Sequence, residues 1–480
     1  MNNLFLEGKK KIMSKRENIV ISDAEINRQK GFLLDIKNMT KSPKYAFIET
    51  YGCAQNVNDS EKLLGMLKMA GYEETFDKEK ADIIIYNTCA VRENAELKVF
   101  GNIGALKALK RRKEDLIIGV CGCMMQQEHI AEQIRKKYKH VDIVFGTHAL
   151  YRFPEILKNA VMEKERIIDI TKSDGVIYED MPISYSGSVS QGVSVMYGCN
   201  NFCTYCIVPY VRGRERSRLK EDIINEVTSI AKKGIKEITL LGQNVNSYGH
   251  DIENYIDFPD LLGEVSKVDG IERIRFMTSH PKDLSDKLID EIASNKKVCA
   301  QLHLPIQCGS DDILKKMNRK YTKEEYLEKI KKVKEKIPHI TLTTDIIVGF
   351  PGETNEDFEH TIDVLEKVRY DSVFSFIYSK RHGTPAATME DVLTDEEKKV
   401  NFNRLLDVQN KISKEINLEY ENKEYEILVE GESKTDRNFL TGRTEGGKIV
   451  NFKGDKNLVG KIIKIKVTKA QTWSLFGEII

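Results

Sequence analysis

No stretch of this sequence approaches the roughly 18 consecutive apolar residues of a membrane span. No membrane helix, and no membrane partner, is therefore expected. The N-terminal MNNLFLEGKKKIMSKRENIV has too short an apolar stretch for a secretory signal, so the expected location is cytoplasmic. Net charge is nearly absent as well, at +1. The molecule as a whole does not attract nucleic acid, and any such partner must be met by local basic patches. A disulfide framework is not expected either, because nine cysteines in a reducing compartment point to metal or catalysis.

The ordinary globular balance, 40% hydrophobic and 31% charged, spans 480 residues. At roughly 150 residues per domain that is about three domains. Residues 1–43 are charged and weakly patterned, and are expected to form a poorly ordered extension with a short helix near AEINRQKGFLLDIK. From Tyr45, the runs YAFIET, ADIIIYNTC, LIIGVCGC and VDIVFG alternate with helical segments. This predicts an N-terminal α/β domain with an open parallel sheet over 44–165. The polar, turn-rich stretch that follows reads as a linker over 166–190.

A second alternating series covers 191–418, with strands at VSVMYG, EITLLGQN, RIRFMTS, QLHLPIQ, TLTTDIIVGF and SVFSFIYS. Six βα units suit a partial, TIM-like (βα)6 barrel with its site at the carboxyl ends of the strands. An open doubly wound sheet fits the same pattern. Over 419–480 the period switches to two, predicting a small antiparallel β-barrel with a turn at Gly446–Gly447. Residues 433–480 hold ten Lys/Arg against four Asp/Glu.

The chemistry concentrates in YGCNNFCTYC. Cys199, Cys203 and Cys206 lie together, and neither a fourth cysteine nor a histidine is near; the next histidine is His250. A structural zinc site uses four ligands, commonly in two close pairs. A [4Fe–4S] cube held by three cysteines leaves one iron open for a substrate or cofactor. A second set stands at strand ends: Cys53 after YAFIETYG, Cys89 ending ADIIIYNTC, and Cys121 and Cys123 in LIIGVCGC. Spacings of 36 residues (53 to 89) and 34 (89 to 123) each fit one βα repeat. In an open parallel sheet these ends line one edge, so three thiols can converge there. Buried, inert cysteine is the competing reading, and pattern alone does not choose between Cys121 and Cys123.

CNNFCTYC resembles the C-x3-C-x2-C signature of the radical S-adenosylmethionine enzymes. The resemblance implies that the open iron chelates S-adenosylmethionine, whose reductive cleavage yields a 5′-deoxyadenosyl radical that abstracts hydrogen. YGCAQN, NTCAVRE and GVCGCMMQ resemble the N-terminal domain of the methylthiotransferases within that superfamily. By that resemblance Cys53, Cys89 and Cys123 hold an auxiliary [4Fe–4S] cluster that handles sulfur. Cys121 stands where the family commonly has glycine; Cys121, Cys299 and Cys308 are read as structural.

RIRFMTSHP, QLHLPIQCGS, TDIIVGFPGET, FIYSKRHGTPAA and FLTGRTEGGKIVNF narrow the resemblance over about 44–480. They point to the branch that adds a methylthio group to C2 of isopentenylated adenosine beside the tRNA anticodon. Sister branches act on threonylcarbamoyl-adenosine or on a ribosomal-protein aspartate. The resemblance also implies two [4Fe–4S] clusters and S-adenosylmethionine, a tRNA anticodon stem-loop as partner, an electron donor such as flavodoxin or ferredoxin, and a monomer. Cofactor contacts are expected from Tyr205, Gly242, Gln243 and Gly349, by strand-end position and partial resemblance. A non-catalytic iron–sulfur RNA-binding protein is the reading from another class.

Three basic stretches bear on the RNA. RGRERSRLK (212–220) reads either as a solvated face or as a phosphate holder beside the chemistry. KALKRRK (107–113) reads as a solvated helix end. The C-terminal unit resembles the TRAM domain, and its Phe439, Phe452 and Trp473 are candidate RNA contacts.

Overall fold

The computed structural model describes residues 20–39, 42–90, 93–187 and 189–480. The N-terminal sheet has six strands: β1 (Lys44–Tyr51), β2 (Tyr72–Glu74), β3 (Ile83–Thr88), β4 (Ile117–Gly122), β5 (Ile143–Phe145) and β6 (Ile167–Asp169). Their order is β2-β1-β3-β4-β5-β6, and every pair is parallel. β3 and β4 are buried along their whole length, which is why they read as unbroken Ile/Val runs. Helices cover both faces, giving two separate apolar clusters, one around Leu33, Leu67 and Phe145 and one around Ile84, Ile103 and Ile118.

Two boundaries differ from the sequence reading. Residues 1–19 lie outside the described part; the helix expected near AEINRQKGFLLDIK is present over Asp23–Met39, 17 residues long, but it packs on the domain instead of belonging to a loose extension. Its Ile26, Leu33 and Ile36 are buried, and Gln29 accepts from the Glu155 backbone at 3.1 Å. Nor is 166–190 a free linker. It contributes β6 to the sheet edge, buries Ile177, Tyr178 and Met181, and bonds back to Ile21. Short edge strands and isolated apolar residues carry too little periodicity to register in sequence.

The central domain is built from β7 (Ser190–Ser194), β10 (Glu237–Leu241), β11 (Arg273–Phe276), β12 (Gln301–His303), β13 (Thr341–Val348) and β14 (Ser372–Ile377). The ladders β11-β10-β7 and β12-β13-β14 are parallel, and an Ile274–Val298 bridge joins them side by side. This is the expected partial (βα)6 barrel. A two-residue ribbon, β8 (Met196–Tyr197) with β9 (Arg216–Ser217), clamps the base of the first cysteine loop. The 24-residue helix Asp395–Leu418, opened by a Thr394/Glu397 capping box, closes the domain.

The last unit is a closed barrel of β15 (Glu424–Glu432), β16 (Leu440–Thr444), β17 (Ile449–Phe452), β18 (Ile462–Ala470) and β19 (Leu475–Ile479), ordered β15-β16-β17-β19-β18. It is not wholly antiparallel, since β17 and β19 pair in parallel to close it. Arg273 and Arg275 of β11 donate to the Arg443, Glu426, Thr444 and Glu445 carbonyls. Lys448 meets Asp371 at 2.7 Å. The small barrel thus docks near the amino ends of β11 to β14, away from the cysteine-bearing loops.

Candidate active site

The sheet order explains how the first-domain thiols meet. β1, β3 and β4 are neighbours, and their last residues are level: Tyr51 pairs with Thr88, and Thr88 with Gly122. Cys53, Cys89 and Cys123 therefore leave three adjacent strands at the same edge. Cys53 stands exposed at the N-cap of helix Ala54–Met69. Gly122 turns the chain at φ +97°, and a Cβ there would lie 2.4 Å from both the Asn87 side-chain oxygen and the Thr88 carbonyl oxygen. Cys121, inside β4, packs into the sheet core, whereas Cys123 lies with Ala90, Ile207 and Val211 in a small cluster between the two domains. Burial pushes the Cys123 thiol up to about 12, with Arg212 opposing.

Cys199, Cys203 and Cys206 stand in the loop after β8. Cys199 and Cys203 are buried and Cys206 is partly so. Burial raises the Cys199 and Cys206 thiols to about 12. The loop is fixed from several sides. Gly198 donates to the Gln243 carboxamide oxygen at 2.5 Å, and Thr204 donates to the Met317 carbonyl at 3.1 Å. Tyr205 sets its ring edge-on to Phe350, 6.5 Å between centroids. Gly242 passes so close to Met196 that a Cβ would lie 2.6 Å from its side chain. Gly349 ends β13 at φ +70° and donates its N–H to the Glu353 carboxylate. Gln243 holds the loop that contains Tyr205, Gly242 packs on the β8 residue leading into it, and Gly349 meets Glu353 and Lys398 rather than the loop.

The run at 212–220 is not a solvated face for most of its length, and three of its arginines are turned inward. Arg212, Arg216 and Arg218 are buried, and Arg214 is exposed over the Phe202 ring. Arg212 meets Asp59 at 2.7 Å and donates Nε–H to the Cys123 sulfur at 3.1 Å. Arg218 pairs with Glu179 and Glu226, both at 2.6 Å. Arg216 donates to the Asp174, Arg212 and Arg214 carbonyls. By contrast, the end of helix Glu93–Arg112 is solvated, as expected.

Helix Ala54–Met69 is equally unexpected. Gln55, Asn56, Asn58, Asp59, Ser60, Glu61 and Lys62 are buried while Val57 is exposed. This inverted face lies on β7, the open edge of the partial barrel. Gln55 donates to Ser194 at 2.7 Å, Asn58 to the Gly192 carbonyl at 3.3 Å, and Gln191 to Glu61 at 2.6 Å. The two cysteine-bearing domains are thereby held as one wall. A cleft of about 610 Å³ opens beside it, lined by Ile207, Tyr210, Val211, His148, His129 and His382.

A second buried guanidinium serves the other thiols. Arg319 donates to the Cys203 sulfur at 3.4 Å and to the Pro305 carbonyl at 2.8 Å. Among the described residues no three His, Cys, Asp or Glu side chains group as a single metal ion requires. One sulfur of each all-thiol set accepts from a buried arginine N–H, the kind of donor that supports cluster thiolates.

A partial (βα)6 barrel with three thiols after its first strand, joined to a thiol-edged α/β domain and a small β-barrel, is the architecture of a radical S-adenosylmethionine enzyme. The Radical SAM superfamily model matches residues 193–365, the uncharacterized protein family UPF0004 model 45–146, and the TRAM domain model 418–480. The chain is 57% identical over 470 residues to the tRNA-2-methylthio-N(6)-dimethylallyladenosine synthase of Alkaliphilus oremlandii, covering 98% of this chain and 100% of that one. The enzyme of the same name from Clostridioides difficile is 52% identical, at 98% and 100% coverage. The chain belongs to this family of radical S-adenosylmethionine tRNA methylthiotransferases, whose cofactors are S-adenosylmethionine and [4Fe–4S] clusters. In fold it resembles the radical S-adenosylmethionine methyltransferase TsrM from Kitasatospora setae, with TM-score 0.54, 14% identity, and coverage of 72% and 75%.

Proposed function

We infer that this chain adds a methylthio group to C2 of N6-dimethylallyladenosine beside the anticodon of tRNA. The observation that carries the reading is the pair of three-thiol sites set on one wall between two domains. Cys199, Cys203 and Cys206 hold the first [4Fe–4S] cluster, and Cys53, Cys89 and Cys123 the second. When bound, the first cluster with S-adenosylmethionine supplies a hydrogen-abstracting radical, and the second supplies the sulfur that is transferred with a methyl group.

The chain's own part is to bind, orient and exclude water. Tyr205, Gly242, Gln243 and Gly349 frame the cofactor at the strand ends by fixing the cysteine loop and the turns beside it. Ile207, Val211 and Ala90 pack on Cys123 and shield that thiol from solvent. The anticodon-loop base, already partly unstacked, enters the cleft at low cost. The TRAM barrel holds the RNA through its exposed lysines and the exposed Trp473. An acidic carrier such as flavodoxin or ferredoxin supplies electrons, and the enzyme works as a cytoplasmic monomer.

Nucleoside analysis of tRNA from a strain lacking this gene tests the reading. The methylthio form of dimethylallyladenosine should vanish and the unthiolated form accumulate. Its persistence alongside loss of a methylthio threonylcarbamoyl nucleoside would overturn the assignment.

A further inference from the structure

Arg212 occupies an unusual position. It lies six residues after Cys206 and ends the short helix Val208–Arg212, so it belongs to the wall of the first cysteine loop. Yet its guanidinium crosses the domain boundary: Nε–H points at the Cys123 sulfur, 3.1 Å away, while Nη2 meets Asp59 at 2.7 Å. Arg212 and Asp59 are both buried, at 7% and 8% side-chain exposure. Ile207 and Val211, from the same turn, pack on Cys123 and Ala90 and keep water out.

We propose that Arg212 is a positioning residue that sets the reduction potential of the auxiliary cluster and fixes its ligand Cys123 relative to the first cysteine loop. The inference rests on the assignment of Cys53, Cys89 and Cys123 to that cluster. A cation donating N–H to a ligand sulfur stabilises the more electron-rich state, which raises the potential. In a dry, low-dielectric interface this effect is larger than at a surface. Asp59 opposes it by neutralising the guanidinium while holding its fork in place. The first loop is built differently: Arg319 touches the Cys203 sulfur but is held by neutral oxygens of Pro305 and Tyr321. The carboxylate partner is thus the feature that distinguishes the auxiliary site from the first.

The test uses the full chain with Cys199, Cys203 and Cys206 changed to Ala, so that a single cluster titrates. Iron per chain is measured, and the midpoint potential is followed by electron paramagnetic resonance. Into this background are placed Arg212→Gln, Arg212→Lys and Asp59→Asn. Arg212→Gln should shift the midpoint to lower potential and Asp59→Asn to higher potential. Arg212→Lys, which keeps the charge but loses the fork, should fall between Arg212→Gln and the parent. Local unfolding would move both partner variants the same way, so shifts of one sign, or none, overturn the inference. A parent holding no cluster would overturn the cysteine assignment beneath it, an outcome told apart by its iron content.

Discussion

Lys62 donates to the Tyr197 hydroxyl at 3.0 Å, carrying a buried amine from the N-terminal domain to the strand that leads into the first cysteine loop. The ammonium also lies 4.9 Å and 5.4 Å from the Tyr178 and Tyr197 ring centres. It therefore joins three segments that meet nowhere in sequence: the cysteine-capped helix, the connecting segment and the barrel.

Replacing Lys62 by Met keeps the aliphatic volume and removes the charge. Removing a desolvated cation–π interaction and one hydrogen bond should cost about 2 kcal/mol. Thermal unfolding should report the loss. Partial proteolysis within 171–190 should quicken as the domains part more often. An unchanged melting temperature and cleavage rate would mean the amine is a passive filler.

Cys121 and Cys123 are two residues apart but face different surroundings, one the sheet core and the other the domain boundary. Cys121→Ser should preserve the iron content of the reconstituted enzyme and lower its stability by about 1–2 kcal/mol through a buried hydroxyl. Cys123→Ser should lose about four irons per chain. Within the same set, Cys203→Ala should abolish S-adenosylmethionine cleavage, while Cys53→Ala should keep some cleavage and form no thiolated product. Iron assay and 5′-deoxyadenosine release check all four variants.

Acid should weaken the fold through two buried histidines. Burial, helped by Arg319 and Lys282, holds His280 down to about 2 from 6.5. Burial, helped by Arg216 and Arg212, holds His148 to about 4. A depressed pKa means the folded state binds its proton later than the unfolded state. The associated stability is fully present above pH 6.5 and is lost progressively as pH falls from 6.5 to the folded value. At pH 5 each histidine should cost about 2 kcal/mol. His280→Gln, which can still accept from the Lys282 backbone as the His280 ring does, should lose less stability between pH 7 and pH 5 than the parent. Denaturant midpoints at the two pH values would reveal an equal loss if the histidine were irrelevant.

The legible parts of this molecule are those where local pattern and chemistry coincide. Cys53, Cys89 and one of Cys121 and Cys123 could be placed at one sheet edge because each lies at the end of an apolar run and strand ends in a parallel sheet are level; the choice of Cys123 came from the resemblance. RGRERSR was opaque because a charge run is ordinarily solvated. Its burial depends on Asp59, 153 residues from Arg212, and on Glu179, 39 residues from Arg218. QNVNDSEK hid a domain interface for the same reason, since polar residues on a helix read as the wet face. The one available signal was an exposed Val57 amid them. β6 and β19 escaped because three to five residues hold too little periodicity.

The terminal barrel separates its aromatics by role, and this yields the last prediction. Phe452 is fully buried among Val429, Leu440 and Leu475, so it is core and not an RNA contact. Trp473 is 61% exposed in the turn between β18 and β19. Over residues 464–467 of β18 the pattern alternates: Ile465 and Val467 are buried while Lys464 and Lys466 face solvent. Phe452→Ala should therefore cost about 3–5 kcal/mol and unfold the unit without acting on RNA directly. Trp473→Ala should leave the melting temperature in place and weaken anticodon stem-loop binding by about 1–3 kcal/mol if a base stacks on it. Lys464→Gln with Lys466→Gln should weaken binding and flatten its dependence on salt, the slope falling by about 0.7–0.9 for every phosphate that is no longer neutralised. Binding isotherms at three salt concentrations read both effects. A Trp473→Ala enzyme with full affinity and a double lysine variant with unchanged slope would remove this face of the barrel from the RNA path.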